Sequence, residues 1–183
     1  MRFFSGRSST CVKCAVLMLG MPNSFVVTLL YSLKFRQTMA SLGHKRMNPG
    51  LTMADINDMV MHVGMLANLQ KTARLFGYYK GLRRLLVVVD AESKDGDTQH
   101  ETLLCQLDVI VPELASDSDG EPSEWRLLVV MTTDDPDALQ LQDYEVLFVT
   151  FGARFKEMKV SIIGMQENAS ILDTALDWLQ RPL

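Results

Sequence analysis

Leu85-Leu86-Val87-Val88-Val89, closed by Asp90, is an apolar run without polar alternation. A strand wetted on one face alternates, whereas a strand covered on both faces does not, so this run reads as an inner strand of a parallel sheet. Leu127 to Met131 repeats the signature and ends in Thr132-Thr133-Asp134-Asp135-Pro136, and Val160 to Gly164 is a third copy. The three are predicted to lie side by side, parallel and buried. Working outward, His100 to Ala115 carries Leu103, Leu104, Leu107, Ile110, Val111 and Leu114 at helical spacing. Asp135 with Pro136 makes an N-cap and first helical position. After it, Tyr144, Leu147, Phe148, Phe151, Phe155 and Met158 recur at intervals of three and four, which reads as a core face, not a base-stacking platform. Ser170-Ile171-Leu172-Asp173 caps a last helix ending near Gln180. Buried strands separated by helices require right-handed crossovers. The predicted class is therefore α/β, a doubly wound, mostly parallel sheet flanked by helices.

The N-terminal part is read less directly. Cys14 to Leu33 is uncharged and flanked by Lys13 and Lys34, the pattern of a membrane anchor, but Pro22-Asn23-Ser24 interrupts it. Phe25 to Leu33, with Val-Val-Thr-Leu-Leu-Tyr, is predicted to be a first strand on β propensity. Residues 1–23 are then a basic N-terminal tail, with a mitochondrial transit peptide or membrane anchor as its alternatives, and residues 24–183 form the domain. Thr52-Met53-Ala54-Asp55 has the form of a capping box, and Ile56, Met59, Val60, Val63, Leu66 and Ala67 follow at helical spacing, so a helix is predicted there.

With 48% apolar and 22% charged residues in 183, the chain has the composition of one folded domain. Its net charge of −4 hides an asymmetry: Met1 to Ala54 holds seven Lys or Arg and no acid, and the remainder has 22 acids against 11 Lys or Arg. That acidic body argues against a nucleic-acid footprint. Cys11, Cys14 and Cys105 are too few for a disulfide framework, and Cys11-Val12-Lys13-Cys14 is half a zinc knuckle without a second pair.

These segments together resemble a von Willebrand A domain, and within that family the smaller of the two such subunits of the transcription and repair factor TFIIH. The likeness is carried by Arg126-Leu127-Leu128-Val129-Val130, by Tyr144 to Lys159 with Phe151-Gly152-Ala153-Arg154-Phe155-Lys156, by Val160 to Gly164 with Ile171-Leu172, and by Gln99-His100-Glu101-Thr102-Leu103-Leu104. Thr52 to Leu69 and Leu85 to Ser93 are similar in pattern to the family's first helix and second strand. The chain departs from the family in having about five residues between the segments matching Ser93 and Gln99, and in lacking the cysteine-rich zinc module that follows the domain. The resemblance implies a reduced von Willebrand A-like fold acting as a non-catalytic protein–protein scaffold in RNA polymerase II transcription and nucleotide excision repair. It also implies a nuclear location and protein partners in a multi-subunit complex, without direct nucleic-acid or membrane contact.

The chemistry is read against that background. The Asp-x-Ser-x-Ser metal motif of such domains is missing, since Tyr31-Ser32-Leu33-Lys34-Phe35 follows the predicted first strand and Asp90-Ala91-Glu92-Ser93-Lys94 carries Glu and Lys where serines belong. Asp90, Glu92, Asp134 and Asp135 stand at carboxyl ends of predicted strands, where α/β folds bind ligands, and are the metal candidates. They support an alternative reading as a metal-dependent, nuclease-like phosphoryl-transfer enzyme. Turn and cap roles explain the same residues. No Gly-rich phosphate loop is seen, and His44, His62 and His100 make no ligand pair. No catalytic residue and no cofactor are assigned.

Overall fold

A computed structural model describes residues 14–20, 25–43, 52–56, 59–65, 83–91, 124–137, 149 and 152–182. Six strands form one sheet: β1 (Cys14–Gly20), β2 (Thr52–Ile56), β3 (Met59–Met65), β4 (Arg84–Asp90), β5 (Arg126–Thr133) and β6 (Glu157–Gly164). Their order is β2-β3-β1-β4-β5-β6. Every neighbouring pair is parallel except β2 with β3, which is antiparallel. The helices among the described residues are α1 (Val26–Phe35), the single turn α2 (Met39–Leu42) and α3 (Asp173–Gln180), the last entered through a 3-10 turn at Ala169–Leu172.

The apolar runs of β4 and β5 are buried as predicted, whereas β6 is the edge strand, half-buried until Ile163 and Gly164. β4, β5 and β6 are adjacent and parallel, with Val87 opposite Val129 and Val129 opposite Val160. One face of the sheet, with Val16, Met18, Met61, Leu86, Val88, Leu128 and Val130, packs under α1, α2 and α3 as a single core. Leu17, Leu19, Leu85, Val87, Leu127 and Val129 on the other face are buried as well, so the inner strands are covered on both sides. This is a six-stranded, mostly parallel sheet flanked by helices.

Three predicted elements are corrected. The first strand is Cys14–Gly20, inside the segment read as tail, and it occupies the middle of the sheet between β3 and β4. Phe25 to Leu33 is helix instead: Val26, Leu29, Leu30 and Leu33 fall on one stripe and are buried. The β-branched residues fit because Thr28 and Ser32, also buried, spend their hydroxyls on the carbonyls of Gly43 and Gln37. The helix predicted from Thr52 is a hairpin, with Ile56 opposite Met59 and only Asn57-Asp58 between them. Ala54, Ile56, Met59, Met61 and Val63 face the core with period two, a pattern that a helical reading of Ile56, Met59, Val60 and Val63 conceals. Smaller shifts occur downstream: Met158 belongs to β6, not to the aromatic stripe, and the last helix is led in by Asn168, whose side chain accepts from the Ser170 N–H at 3.0 Å. The helix predicted at 100–115, the loop at 116–123, and Cys11, Cys105, His44 and His100 lie outside the described residues.

The amino ends of β4 and β5 are fastened to the end of α3. Arg84 and Arg126 are register partners. Arg84 donates to the carbonyl of Leu179 at 2.8 Å and of Arg181 at 3.1 Å. Arg126, buried under the Trp178 ring, donates to the carbonyls of Arg181 (2.6 Å) and Pro182 (3.1 Å) and to Glu157 Oε2 (2.9 Å). Two guanidinium groups thus satisfy carbonyls that the last turn of a helix leaves open, at the negative end of its dipole. Among the described residues no helix is long and apolar enough to cross a membrane.

The core assignment has a direct test. Val129 is 2% exposed, so Val129→Asp places an unpaired charge between two covering layers, at a cost on the order of several kcal/mol and comparable to total stability. The variant is expected to show no cooperative melt in thermal unfolding followed by circular dichroism.

Candidate functional site

In an open α/β sheet ligands bind outside the carboxyl ends of the strands, where the order of strands reverses direction. Here β1 leads through α1 to β2 and β3 on one side, while β4 leads to β5 and β6 on the other. The reversal lies between β1 and β4, and the edge above it is formed by Gly20, Asp90, Thr133 and Gly164 with the chain leaving each.

α1 begins six residues after β1 ends at Gly20, the spacing at which a chain grips phosphates when it reads G-x-x-x-x-G-K-S/T: backbone N–H groups cradle the phosphates, the lysine reaches them and the hydroxyl holds magnesium. Counting from Gly20, the second glycine, the lysine and the hydroxyl fall on Phe25, Val26 and Val27. The substitution is structural as well as chemical. Val26 is 1% exposed and Val27 5%, both in the core under α1, and Phe25 packs against the same core. Neither valine offers a side-chain donor to a phosphate or a hydroxyl to a magnesium ion, so these side chains do not fit a magnesium–triphosphate group.

The exit of β5 is polar and organised. The Thr133 hydroxyl accepts from the Asp135 N–H at 3.2 Å, and Asp135 Oδ1 accepts from the Asp137 N–H at 3.2 Å. These bonds hold Asp134 and Asp135 in a tight turn with their carboxylates exposed. The predicted helix start at Pro136 appears within the described residues as a turn at Pro136–Asp137. The neighbouring exit of β6 is drawn against it: the Met165 N–H donates to the Thr133 carbonyl at 2.9 Å, the Gly164 N–H donates to Glu167 Oε2 at 2.6 Å, and a Cβ on Gly164 would stand 3.3 Å from Pro136 Cγ.

Of the four metal candidates, Asp90 ends β4 opposite Thr132, Asp134 and Asp135 share the β5 turn, and Glu92 lies outside the described residues. Among the described residues no three His, Cys, Asp or Glu side chains converge as a metal-ligand set. Cys14, at the start of β1, is half-buried at the other end of that strand; burial raises its thiol pKa and Arg84 partly opposes the shift. The element missed from sequence is the Gly20-to-Val27 turn, because its strand was assigned to the tail. Its signal was an apolar run ending in glycine just before the Val26, Leu29, Leu30, Leu33 stripe.

No family model matches the chain, and no curated protein matches it in sequence. Solved structures do match in fold. The Arl6 (BBS3) small GTPase of Trypanosoma brucei, with the nucleotide analogue GppNp bound, superposes at a TM-score of 0.60 with 14% identity, over 91% of this chain and 94% of that one. The ADP-ribosylation-factor-like Sar1 coat GTPase of Encephalitozoon cuniculi, in complex with GDP, gives 0.55 with 15% identity, over 91% and 78%. The fold is therefore that of small GTPases, and the von Willebrand A resemblance is corrected. Apolar pattern alone does not separate two folds that both bury parallel strands under helices. The reading as a non-enzymatic TFIIH scaffold in transcription and excision repair rested on that resemblance and falls with it, since the fold is shared with proteins named as GTPases. Neither the nuclease-like nor the organelle- or membrane-targeted alternative gains support.

His62 offers a pH test of the site's frame. It is 7% exposed on β3, opposite Leu17 of β1, and burial lowers its pKa from the ordinary 6.5. The unfolded chain then takes up its proton first as pH falls, so the stability present above pH 6.5 is lost below it. The urea midpoint is expected to drop between about pH 7.5 and about pH 5.5, and His62→Phe should flatten that drop.

Proposed function

We propose that this chain is a nucleotide-binding domain of the small-GTPase type in which recognition has moved from the phosphate end of the ligand to its sugar and base. The observation that carries the reading is the β1–α1 turn: it stands at the switch point of a small-GTPase fold, yet presents Phe25, Val26 and Val27 where phosphate and magnesium would be held. What the turn retains is backbone, the N–H groups that open α1, which favour an anion through the helix dipole. The β5 exit supplies the complementary chemistry. Exposed carboxylates of Asp134 and Asp135 repel phosphates and accept hydrogen bonds from ribose hydroxyls or base N–H groups.

This arrangement has measurable consequences. Without a lysine on the phosphates, a charge-assisted hydrogen bond worth roughly 1.5–3 kcal/mol is absent, so affinity is reduced by about 10- to 100-fold relative to a lysine-bearing loop. With no hydroxyl for magnesium, chelation leaves binding unchanged, and GDP and GTP bind alike. Hydrolysis follows no lysine-assisted route and is expected to be slower than the order of 10⁻⁴ per second known for unassisted small GTPases.

The test is equilibrium titration of the protein with fluorescent GDP and GTP, in magnesium and in EDTA, with Asp135→Asn as the variant. Saturable binding that is equal for both nucleotides, indifferent to EDTA and about tenfold weaker in the variant is the expected result. Absence of saturable binding at millimolar nucleotide, or a preference for GTP that EDTA abolishes, would overturn the reading.

A further inference from the structure

The segment between α1 and β2 is fastened along its described length, residues 36–43. Arg36 closes α1 in the left-handed region, φ 56°, and its Nη1 lies 2.7 and 2.9 Å from the two carboxylate oxygens of Asp173 at the head of α3. The Asn168 side-chain amide donates to the Arg36 carbonyl at 3.2 Å, and Thr38 forms an antiparallel bridge with Asn168. The Ala40 N–H donates to the Met165 carbonyl at 2.8 Å. Met39 is fully buried, and at the far end the Thr28 hydroxyl donates to the Gly43 carbonyl at 3.1 Å.

Three of these fastenings, at Arg36, Thr38 and Ala40, end on one structure, the 164–168 turn that follows β6. That turn is in its own right tied to the exit of β5 through the Met165 N–H on the Thr133 carbonyl and through the close approach of Gly164 to Pro136. A four-residue helical turn such as Met39–Leu42 has no stability of its own, since a helix nucleus costs more than one turn returns. Its order is borrowed from what it touches.

We propose that residues 36–43 are a latch whose closed state is set by the 164–168 turn, so that a displacement at the β5–β6 exit is passed to the segment after α1. Closed, Met39 is in the core and the Ala40 and Gly43 amides are bonded; open, both amides are released while the sheet stays intact. Opening of this kind costs less than global unfolding. The route runs around the β1–α1 turn, whose Val26 and Val27 are fixed in the core and have no polar group with which to signal. It stands whether or not a nucleotide binds.

Hydrogen–deuterium exchange on the full chain tests the latch. Gly164→Ala touches no residue of 36–43, but its Cβ would meet the Glu167 side chain at 3.2 Å and Pro136 Cγ at 3.3 Å, tight contacts that press on the turn and require those side chains to give by a few tenths of an ångström. Asn168→Ala removes the bond to the Arg36 carbonyl. Both variants are expected to speed exchange at the Ala40 and Gly43 amides about tenfold and to leave β1, β4 and β5 at wild-type rates, while Glu124→Gln at the opposite end of the sheet changes nothing in the latch. Wild-type exchange over 38–43 in both variants, or acceleration in the sheet as large as in the latch, overturns the proposal. If Gly164→Ala does not fold, Asn168→Ala decides alone.

Discussion

Parallel pairing at the centre of the sheet is the constraint on which everything else rests. β1 has a parallel neighbour on either side, and β4 and β5 likewise, so none of these three strands reaches its partner by a tight turn. Each connection must cross the sheet, and crossing it covers a face. The inner strands can therefore be apolar on both sides, and they are. Val87 and Val88, neighbours in sequence, point to opposite faces and are both fully buried. The polar ends of the strands have nowhere to go but the two rims. One rim is closed by Arg84 and Arg126 over the carbonyls ending α3, and the other is left for chemistry.

At the open rim the exits of β1 and β5, with that of β4 between them, differ in kind. The β1 exit has been absorbed into the core, so that the head of α1 is held by packing, without a side-chain cap. The β5 exit keeps its hydroxyl, its carboxylates and a hydrogen-bonded link to β6. Polar side chains at the described strand exits are thus concentrated on one side of the switch point. A small-GTPase fold with Phe25, Val26 and Val27 at the head of α1 gives up the side chains of the strongest grip that position provides, and the head of α1 is held by its packing in the core.

How much of this the residues themselves disclose depends on whether a segment has one physical explanation or two. Leu85 to Val89 and Leu127 to Met131 have one, the doubly covered strand, and they are legible as such; Val160 to Gly164 is legible as their parallel neighbour, but it is the edge strand and only half-buried as far as Ile162. Phe25 to Leu33 has two, because Val-Val-Thr favours a strand locally while Val26, Leu29, Leu30 and Leu33 favour a helix; the tertiary core decides. Ile56 to Val63 satisfies period two and period 3.6 at once, and only the pairing with Thr52–Ile56 settles it. Cys14 to Gly20 was obscured by its basic, cysteine-bearing surroundings, although Ala15 to Leu19 is as apolar as β4. The Asp90, Asp134 and Asp135 positions at strand ends were legible as positions. Their fold was not, because the buried-strand signature that placed them belongs to von Willebrand A domains and small GTPases alike, and the order β2-β3-β1 that differs lies in the part of the chain where both period and boundary were ambiguous.

The place of β1 also matters for how the protein is made. It precedes the other five described strands along the chain, yet its partners are residues 59–65 and 85–88, the first on one side and the second on the other. A nascent chain therefore carries Ala-Val-Leu-Met-Leu with both edges unpaired until β4 has followed it out of the ribosome. Transiently exposed strand edges and apolar surface are what draw incomplete chains into association. A strand held in the middle of the finished sheet is thus left bare during its birth, and folding in a cell calls for something to shield those few residues while the rest of the sheet is being written.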